Sequence, residues 1–228
     1  RLVGTHSFVS YPPEVADVLR VGDAFNMNIE AIVALEPDLV FIFFEASLAD
    51  LERVGLKVLY LGSLNDEFSK VPDNIRMWGR ITGNPAAAEA VGADFQARVQ
   101  WIKDVMAPYS SGPSVFQDEG ALWTPGPDTL MGQVFALLKL ENIAHDISGY
   151  AQLSAETIVD RNPQIIIASY GDTISGTPAF KDLLAVRTNR IFVPLSEALS
   201  VAGPRFIDGI EELAKWVYPG LFGPSLVD

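Results

Sequence analysis

Two stretches of the sequence repeat each other, and they decide the fold. The first reads Glu30-Ala-Ile-Val-Ala-Leu-Glu-Pro37-Asp-Leu-Val-Phe41, and the second reads Glu156-Thr-Ile-Val-Asp-Arg-Asn-Pro163-Gln-Ile-Ile-Ile167. In each, a short helical segment is ended by a proline, and a continuous apolar run of the kind buried in parallel sheets follows. Asn28 and Ser154 precede the two copies as candidate helix caps. The sequence therefore predicts one helix-strand unit that is used twice.

The similarity continues beyond the repeated unit. Asp50–Val54 followed by Lys57–Leu61 resembles Asp182–Val186 followed by Arg190–Val193. Each half of the chain thus alternates helices with strands, which is the pattern of an α/β fold with a parallel sheet.

A long helical segment separates the two copies. Pro85 suits the first turn of a helix, and apolar residues follow it at helical spacing as far as Met106. We therefore predict an α/β fold with two parallel-sheet lobes of similar topology, residues 1–83 and 108–228, joined by a single long helix within 84–107. A ligand cleft is expected between the lobes. The alternative is one doubly wound sheet that contains two similar units.

Composition excludes several classes of partner. The 228 residues include 16 Lys and Arg against 29 Asp and Glu, a net charge of −13, which disfavours nucleic acid and anionic lipid. The absence of cysteine excludes disulfides and thiolate metal sites. The longest apolar runs, such as Leu39–Phe44, are far shorter than the ~20 residues that span a bilayer. The sequence opens without a signal segment, so any targeting peptide is expected to have been removed or to lie outside these residues.

Catalytic signatures are missing from the sequence. It contains no phosphate loop, no dinucleotide fingerprint, no His-Glu-x-x-His and no Gly-x-Ser-x-Gly. His6 and His145 are its only histidines, which leaves little material for a catalytic triad or a histidine metal site. We therefore predict that the protein is not an enzyme and has no metal site of its own.

Several segments together carry a family resemblance: Val3-Gly-Thr-His-Ser-Phe-Val-Ser-Tyr11-Pro-Pro-Glu14, Asn28–Val40, Glu141–Ile143, Ser154–Glu156 and Gly203–Arg205. In their order and spacing the sequence resembles the periplasmic binding proteins for vitamin B12, siderophores and haem, and the cobalamin-binding branch looks closest. The resemblance implies two α/β lobes bridged by a long helix. The family usually begins with a strand and a helix before Val3, so the first lobe is expected to lack both in this sequence.

The resemblance also implies a function. The protein would be the substrate-binding protein of an ABC importer, capturing a metal chelate (cobalamin, cobinamide or a ferric siderophore) and delivering it to a membrane permease dimer. The chelate would be a transported ligand and not a cofactor. The expected protein is a monomer with a periplasmic or other extracytoplasmic location, with or without a lipid anchor, and with peripheral membrane association through the permease.

By position in the family, the resemblance assigns ligand contacts to Phe8, Tyr11, Phe25, Phe43, Trp123, Tyr150 and Glu197. Aromatic walls suit a flat ligand, because they bury a large area with few rotors to freeze. For Phe43 the alternative to a ligand contact is a position in the core, because the residue ends an apolar strand. The arginine that accompanies Glu197 in cobalamin binders is replaced by Val201, and the nearby Arg205 is assigned a structural contact.

A glutamate pair is assigned to the permease. Glu30 and Glu156 are equivalent positions of the repeat, and the family uses such a pair to grip arginines on the transporter. Each residue alone is also explained by the preference of a helix N-terminus for negative charge.

Three other functions stay open at this point. A haem carrier would use Tyr11 or a histidine as axial ligand. A chelate-processing enzyme on the same fold would need a buried Glu197 beside a second titratable group. An interaction scaffold would show no cavity.

Overall fold

The computed structural model describes residues 1–23, 26–61, 67–169, 173–174 and 176–224. Contacts divide the chain into two compact units, Arg1–Leu64 and Asn65–Asp228. Each unit has its own strands, helices and buried core.

The first unit is built from short elements. Its strands are β1 (Gly4–Thr5), β2 (Leu19–Arg20), β3 (Val40–Ile42) and β4 (Val58–Tyr60), its α-helices are α1 (Ile29–Ala34) and α2 (Leu48–Arg53), and its 3-10 turns are Pro13–Asp17 and Glu45–Ser47. Strand β1 pairs with β2 and β3 pairs with β4, both in parallel. The core of this unit is formed by Ile32 of α1, Ile42 of β3 and Leu51 of α2.

The second unit holds the larger sheet. Its helices are α3 (Val71–Ile81), α4 (Pro85–Met106), α5 (Leu130–Leu137), α6 (Ala155–Arg161), α7 (Leu184–Arg187), α8 (Phe206–Val217) and α9 (Pro219–Phe222). Its strands are β5 (Ser114–Asp118), β6 (Trp123–Pro125), β7 (Glu141–Asn142), β8 (Tyr150–Gln152), β9 (Ile165–Ala168) and β10 (Ile191–Phe192). Its 3-10 turns are Phe68–Lys70, Pro178–Phe180 and Glu197–Ser200. A four-stranded parallel sheet has the order β10-β9-β5-β7, and β6 pairs antiparallel with β8.

Strand β9 is covered on both faces. Ile165 and Ile167 belong to one buried cluster, while Ile166 between them belongs to another. Successive side chains of a strand point to opposite faces of the sheet, so the two clusters are cores on the two sides of it. The continuous apolar run seen in the sequence is explained by this double burial, which contributes ~1.5–3 kcal/mol for each isoleucine.

Helix α4 has the limits expected from the sequence, Pro85–Met106. Its buried face includes Phe95, Ile102 and Met106. The helix packs closely on α3, because Gly79 has no side chain to meet Ala88. The limits of the two lobes at 83 and 108 stay a prediction.

An ion-pair network joins α4 to α8 within the second unit. The guanidinium of Arg98 donates from Nε to Glu211 Oε1 at 2.7 Å and from Nη2 to Asp208 Oδ1 at 2.7 Å. Its carboxylate partners, Glu211 first, raise the pKa of Arg98 above its ordinary value. This half-buried network fixes the approach of the two helices.

The repeated unit is built alike in both copies. Helix α1 is capped by Asn28, whose Oδ1 accepts from Ala31 N at 3.0 Å, and α6 by Ser154, whose Oγ accepts from Thr157 N at 3.1 Å. Both helices are followed by a residue of positive φ directly before the proline: Glu36 at 45° and Asn162 at 39°. The predicted caps are therefore confirmed, and a left-handed residue redirects each chain into its strand.

The repeated strands lie in different sheets. Strand β3 pairs with β4 in a two-stranded sheet, while β9 lies between β10 and β5 in the four-stranded one. The alternative of a single doubly wound sheet is therefore wrong for the described residues.

Within those residues, no helix combines the length and apolarity needed to cross a membrane.

Candidate functional site

An exposed aromatic pair stands on the small antiparallel sheet of the second unit. Strand β6 pairs with β8 so that Trp123 lies opposite Gln152 and Pro125 lies opposite Tyr150. Because side chains two apart share a face, Trp123 and Tyr150 are diagonal neighbours on the same face. Their exposed fractions are 47% and 52%.

The loops beside this pair are held by hydrogen bonds. The Asp128 carboxylate accepts from Ser148 Oγ at 2.6 Å and from Gly149 N at 2.8 Å. These two bonds, Ser148 first, lower the pKa of Asp128 below its ordinary value. Gly126 N donates to Gly149 O at 2.7 Å, and a side chain on Gly126 would collide with Ile147 O. The backbone that carries Tyr150 is thus fixed before any ligand arrives.

A buried polar group ends the central strand β5 beside the aromatic pair. Gln117 is 2% exposed, and its Nε2 donates to Glu119 and to Ser169 Oγ, the latter at 3.0 Å. Glu119 N donates to Trp123 O at 2.8 Å, which links the sheet to the aromatic strand. Burial raises the pKa of the Glu119 carboxyl, against the hydrogen bonds from Gln117 and Ser169 that lower it.

Asp118, next in the chain to Gln117, has a structural role. It is 1% exposed, and its Oδ1 accepts from Gly120 N at 3.0 Å and Leu122 N at 2.9 Å, which fixes the turn into β6. Gln117 and Glu119 are polar residues at this end of β5 that the sequence analysis did not name. The available signal was a polar run, Gln-Asp-Glu, at the end of an apolar strand, since ligands of open α/β sheets bind beyond the carboxyl ends of the strands.

Glu197 follows the carboxyl end of β10 and begins a 3-10 turn. Ser196 Oγ caps this turn by accepting from Ala198 N at 3.2 Å. Glu197 is exposed, and the exposed apolar side chains of Leu195 and Val201 lie close to it in the chain. The buried carboxyl that a chelate-processing enzyme would need is therefore not at this position. Arg205, at the start of α8, is half-buried.

Trp123 and Glu197 both follow strands that end at the carboxyl edge of the parallel sheet. Strands β5, β9 and β10 run in parallel, so their carboxyl ends share one edge. Trp123 comes soon after the end of β5, and Glu197 soon after the end of β10. No cluster of three or more His, Asp or Glu suited to a metal ion occurs among the residues that the structure describes.

The predicted ligand contacts of the first unit that the structure describes, Phe8, Tyr11 and Phe43, lie outside its α-helices and strands. Phe8 is 60% exposed after β1, with its ring at 6.0 Å from the His6 ring, and Tyr11 is 51% exposed. Phe43 follows β3, is 40% exposed and makes an edge contact with Phe41 at 6.1 Å, so it is not a core residue. Phe25 lies outside the described residues. Ligand contact by these residues stays a prediction.

Glu30 and Glu156 have matched local surroundings. Each is exposed, lies in the first turn of its helix and comes two residues after a capping side chain, Asn28 or Ser154. The capping role belongs to the asparagine and the serine. Glu30 and Glu156 therefore do not cap their helices, although a negative charge in the first turn of a helix is electrostatically favourable.

Comparison with known proteins identifies the family. A family profile described as "Periplasmic binding protein" matches residues 1–197. The chain belongs to the periplasmic binding protein family. An uncharacterized ABC transporter substrate-binding lipoprotein of Bacillus subtilis strain 168 is 30% identical over 97% of this periplasmic binding protein and 74% of its own length. A vitamin B12-binding protein of Pectobacterium atrosepticum is 29% identical over 99% of the chain and 84% of its own length.

A solved structure supports the same assignment. The periplasmic vitamin B12-binding protein of Vibrio cholerae matches with a TM-score of 0.80 and 25% identity, covering 94% of this chain and 87% of that one. The predicted α/β fold class and the predicted family are confirmed. The relatives of this periplasmic binding protein are ABC transporter substrate-binding proteins and vitamin B12-binding proteins, so the predicted class, a binding protein for transport, is confirmed as well.

Proposed function

We propose that the protein captures a metal chelate, either cobalamin, cobinamide or a ferric siderophore, and delivers it to the permease of an ABC importer. The ligand is bound and released without chemical change, so the protein is a carrier and not an enzyme. The observation that carries this proposal is the exposed pair Trp123 and Tyr150 on a fixed loop framework at the carboxyl edge of the sheet.

The aromatic pair suits a flat, bulky ligand. Trp123 and Tyr150 offer ring faces that bury much area, and each has only two side-chain torsions to freeze. The hydrogen bonds that Ser148 and Gly149 donate to Asp128 fix the backbone beside Tyr150 in advance. The loss of conformational entropy on binding is therefore small, which favours a tight complex.

Carboxylates at the same edge suit a ligand rich in hydrogen-bond donors. Glu119 and Glu197 carry acceptor oxygens, and the amide side chains of a corrin ring present N–H donors. The name of the Pectobacterium atrosepticum relative points to the same ligand class. Val201 is apolar where cobalamin binders carry an arginine, so amide carbonyls of the ligand must find other donors. This difference favours testing cobinamide and siderophores beside cobalamin.

Delivery requires a membrane partner. We propose that Glu30 and Glu156 contact basic residues of a permease dimer, supported by their exposure and their matched helix positions. The protein acts as a monomer at an extracytoplasmic membrane surface. The lipoprotein nature of the Bacillus subtilis relative supports a lipid anchor as the means of holding it there.

Native mass spectrometry tests the ligand class directly. The protein is incubated with cobalamin, cobinamide, haem and a ferric siderophore in separate samples, and a complex with one equivalent of a corrinoid or siderophore is expected. Binding of none of the four would overturn the proposal. Binding of haem alone, with a Soret band that Tyr11→Phe abolishes, would replace it with a haem carrier.

A further inference from the structure

A cavity lies at the amino edge of the parallel sheet, opposite the edge that Trp123 and Glu197 follow. It has a volume of about 610 Å³. Ser111 to Pro113 precede β5, Gln164 precedes β9 and Arg190 precedes β10, and all of these residues line it. Because the strands are parallel, the cavity opens at their amino ends, away from the carboxyl edge that carries Trp123. Its size is within the ~300–1,000 Å³ range of small-molecule pockets.

Arg190 is the cationic group of this cavity. Its Nε is buried and has no hydrogen-bond partner within the described part of the chain. Among those same residues its guanidinium forms no ion pair, whereas Arg53, Arg76, Arg98 and Arg161 each reach a carboxylate. A buried donor without a partner is a place where an ion or a water is expected to bind.

Packing holds the Arg190 guanidinium against an aromatic ring. The Arg190 carbon Cζ lies 5.0 Å from the ring centre of Trp216, and that ring packs on Phe192 at 5.3 Å between centroids. Stacking uses the face of the guanidinium and leaves its N–H groups in the plane. The Arg190 side chain is partly exposed and lines the cavity, and the two Nη groups of an arginine can donate to both oxygens of a carboxylate.

The remaining walls are mixed in character. Leu184 and Pro113 provide partly exposed apolar surface, whereas Ile165 and Val217 are buried, at 1% and 5% exposed. The hydroxyls of Thr188 and Tyr218 also line the cavity, but each already donates to a backbone carbonyl, Leu184 O at 2.7 Å and Leu138 O at 2.8 Å. A single cation beside an apolar patch suits a ligand with one negative charge and a hydrocarbon body, and suits a multiply charged phosphate poorly.

We propose that this cavity is a second binding site, which takes a small monocarboxylic acid with its carboxylate on Arg190 and its hydrocarbon chain along the apolar wall. The site is separate from the chelate site and does not depend on what that site binds.

Octanoate is the probe, and octylamine is its matched control with the opposite charge. Isothermal titration calorimetry on the whole chain is expected to give one site for octanoate below ~1 mM and none for octylamine. Trp216 fluorescence supplies a second measurement, because the change that octanoate causes should disappear in Trp216→Phe. Arg190→Gln should weaken octanoate binding at least ~10-fold, and Arg187→Gln, an exposed arginine of α7, should bind as the unchanged protein does.

Leu184→Glu tests the site without changing Arg190, so its result does not depend on whether Arg190→Gln folds correctly. Leu184 is 39% exposed, so a glutamate there leaves the stacking of Arg190 on Trp216 in place while adding a negative charge to the wall. This variant should also weaken octanoate binding at least ~10-fold. Absence of octanoate binding to the unchanged protein at ~10 mM, or equal binding by the unchanged protein and Leu184→Glu, would overturn the site.

Discussion

Trp123 and Tyr150 lie diagonally across the β6–β8 sheet and on the same face of it, with Trp123 opposite Gln152 and Tyr150 opposite Pro125. Diagonal positions of an antiparallel pair are close enough for two aromatic rings to cover one ligand surface. Both rings are about half exposed, so their contact area is available to a ligand.

Removing either ring should weaken chelate binding. Trp123→Ala and Tyr150→Ala are each expected to cost ~2 kcal/mol or more, at least tenfold in Kd, because aromatic anchors dominate binding in desolvated pockets. Calorimetric titration with the chelate found by native mass spectrometry measures the loss. Tyr109→Ala is the control, since Tyr109 is similarly exposed but lies on the amino-end side of β5. The site assignment is wrong if both variants keep the original affinity.

Charge reversal at the glutamate pair should separate transport from binding. Glu30→Arg combined with Glu156→Arg is expected to abolish transport in a reconstituted importer while chelate affinity is kept, because exposed charges govern docking more than folding. The loss of two favourable helix charges should lower stability by only ~0.3–1 kcal/mol each.

The matched control for this pair changes the same charge elsewhere. Glu14→Arg with Glu141→Arg also reverses two exposed glutamates, and transport should continue in that variant. If the double variant of Glu30 and Glu156 still supports transport, the two residues do not dock the permease and only stabilise their own helices.

Glu119 should make stability depend on pH. Burial raises the pKa of its carboxyl in the folded protein above the ordinary value of 4.5. The folded state therefore holds the proton more tightly than the unfolded chain, and stability falls as pH rises from that ordinary value through the folded pKa. Glu119→Gln cannot ionise and its Oε1 can still accept from Gln117. The Tm of Glu119→Gln should therefore exceed that of the unchanged protein by a margin that increases as the pH rises above 4.5.

A Tm difference for Glu119→Gln that does not change with pH would contradict the assigned burial effect.

Asp146 should stabilise the protein at neutral pH and lose this effect in acid. Arg161 donates to both of its oxygens at 2.8 Å, and this bidentate bond lowers the pKa of Asp146 from 3.8 to about 2. The stabilisation is present above the unfolded value and is lost as pH falls through about 2. Asp146→Asn should therefore lower Tm at neutral pH, with a deficit that closes in acid. A Tm deficit of Asp146→Asn that is as large at pH 2 as at neutral pH would refute the prediction.

Gly79 should be required for the α3–α4 contact. A Cβ at this position would lie 2.2 Å from the Ala88 Cβ, so Gly79→Ala forces the helices apart. Overpacking costs ~1–3 kcal/mol, which exceeds the gain of ~1 kcal/mol in helix propensity. Gly92→Ala in α4 is the control, because its nearest neighbour is at 3.4 Å and the propensity gain should prevail. Urea unfolding measures both, and a Gly79→Ala variant as stable as the original would disprove the contact.

Much of the architecture could be predicted because its causes are local in the chain. The caps Asn28 and Ser154, the prolines after the two helices and the helical spacing of residues 85–106 each act over a few residues. The continuous apolar run of β9 indicated burial on both faces, which the two cores confirm. The exposed aromatics Trp123 and Tyr150 could be named from the sequence, but only through their place in a family.

By itself, then, the sequence determined the α/β class, the repeated helix-strand unit, the long helix and the family. Tertiary structure alone decided the partners of distant residues: the shared face of Trp123 and Tyr150, the bond from Gln117 to Ser169, and the stacking of Arg190 on Trp216 beside a cavity. Helix periodicity and capping are set by neighbours a few residues away, and they leave a readable pattern. Contacts between separate segments depend on how whole elements pack, and no short pattern in the chain records that choice.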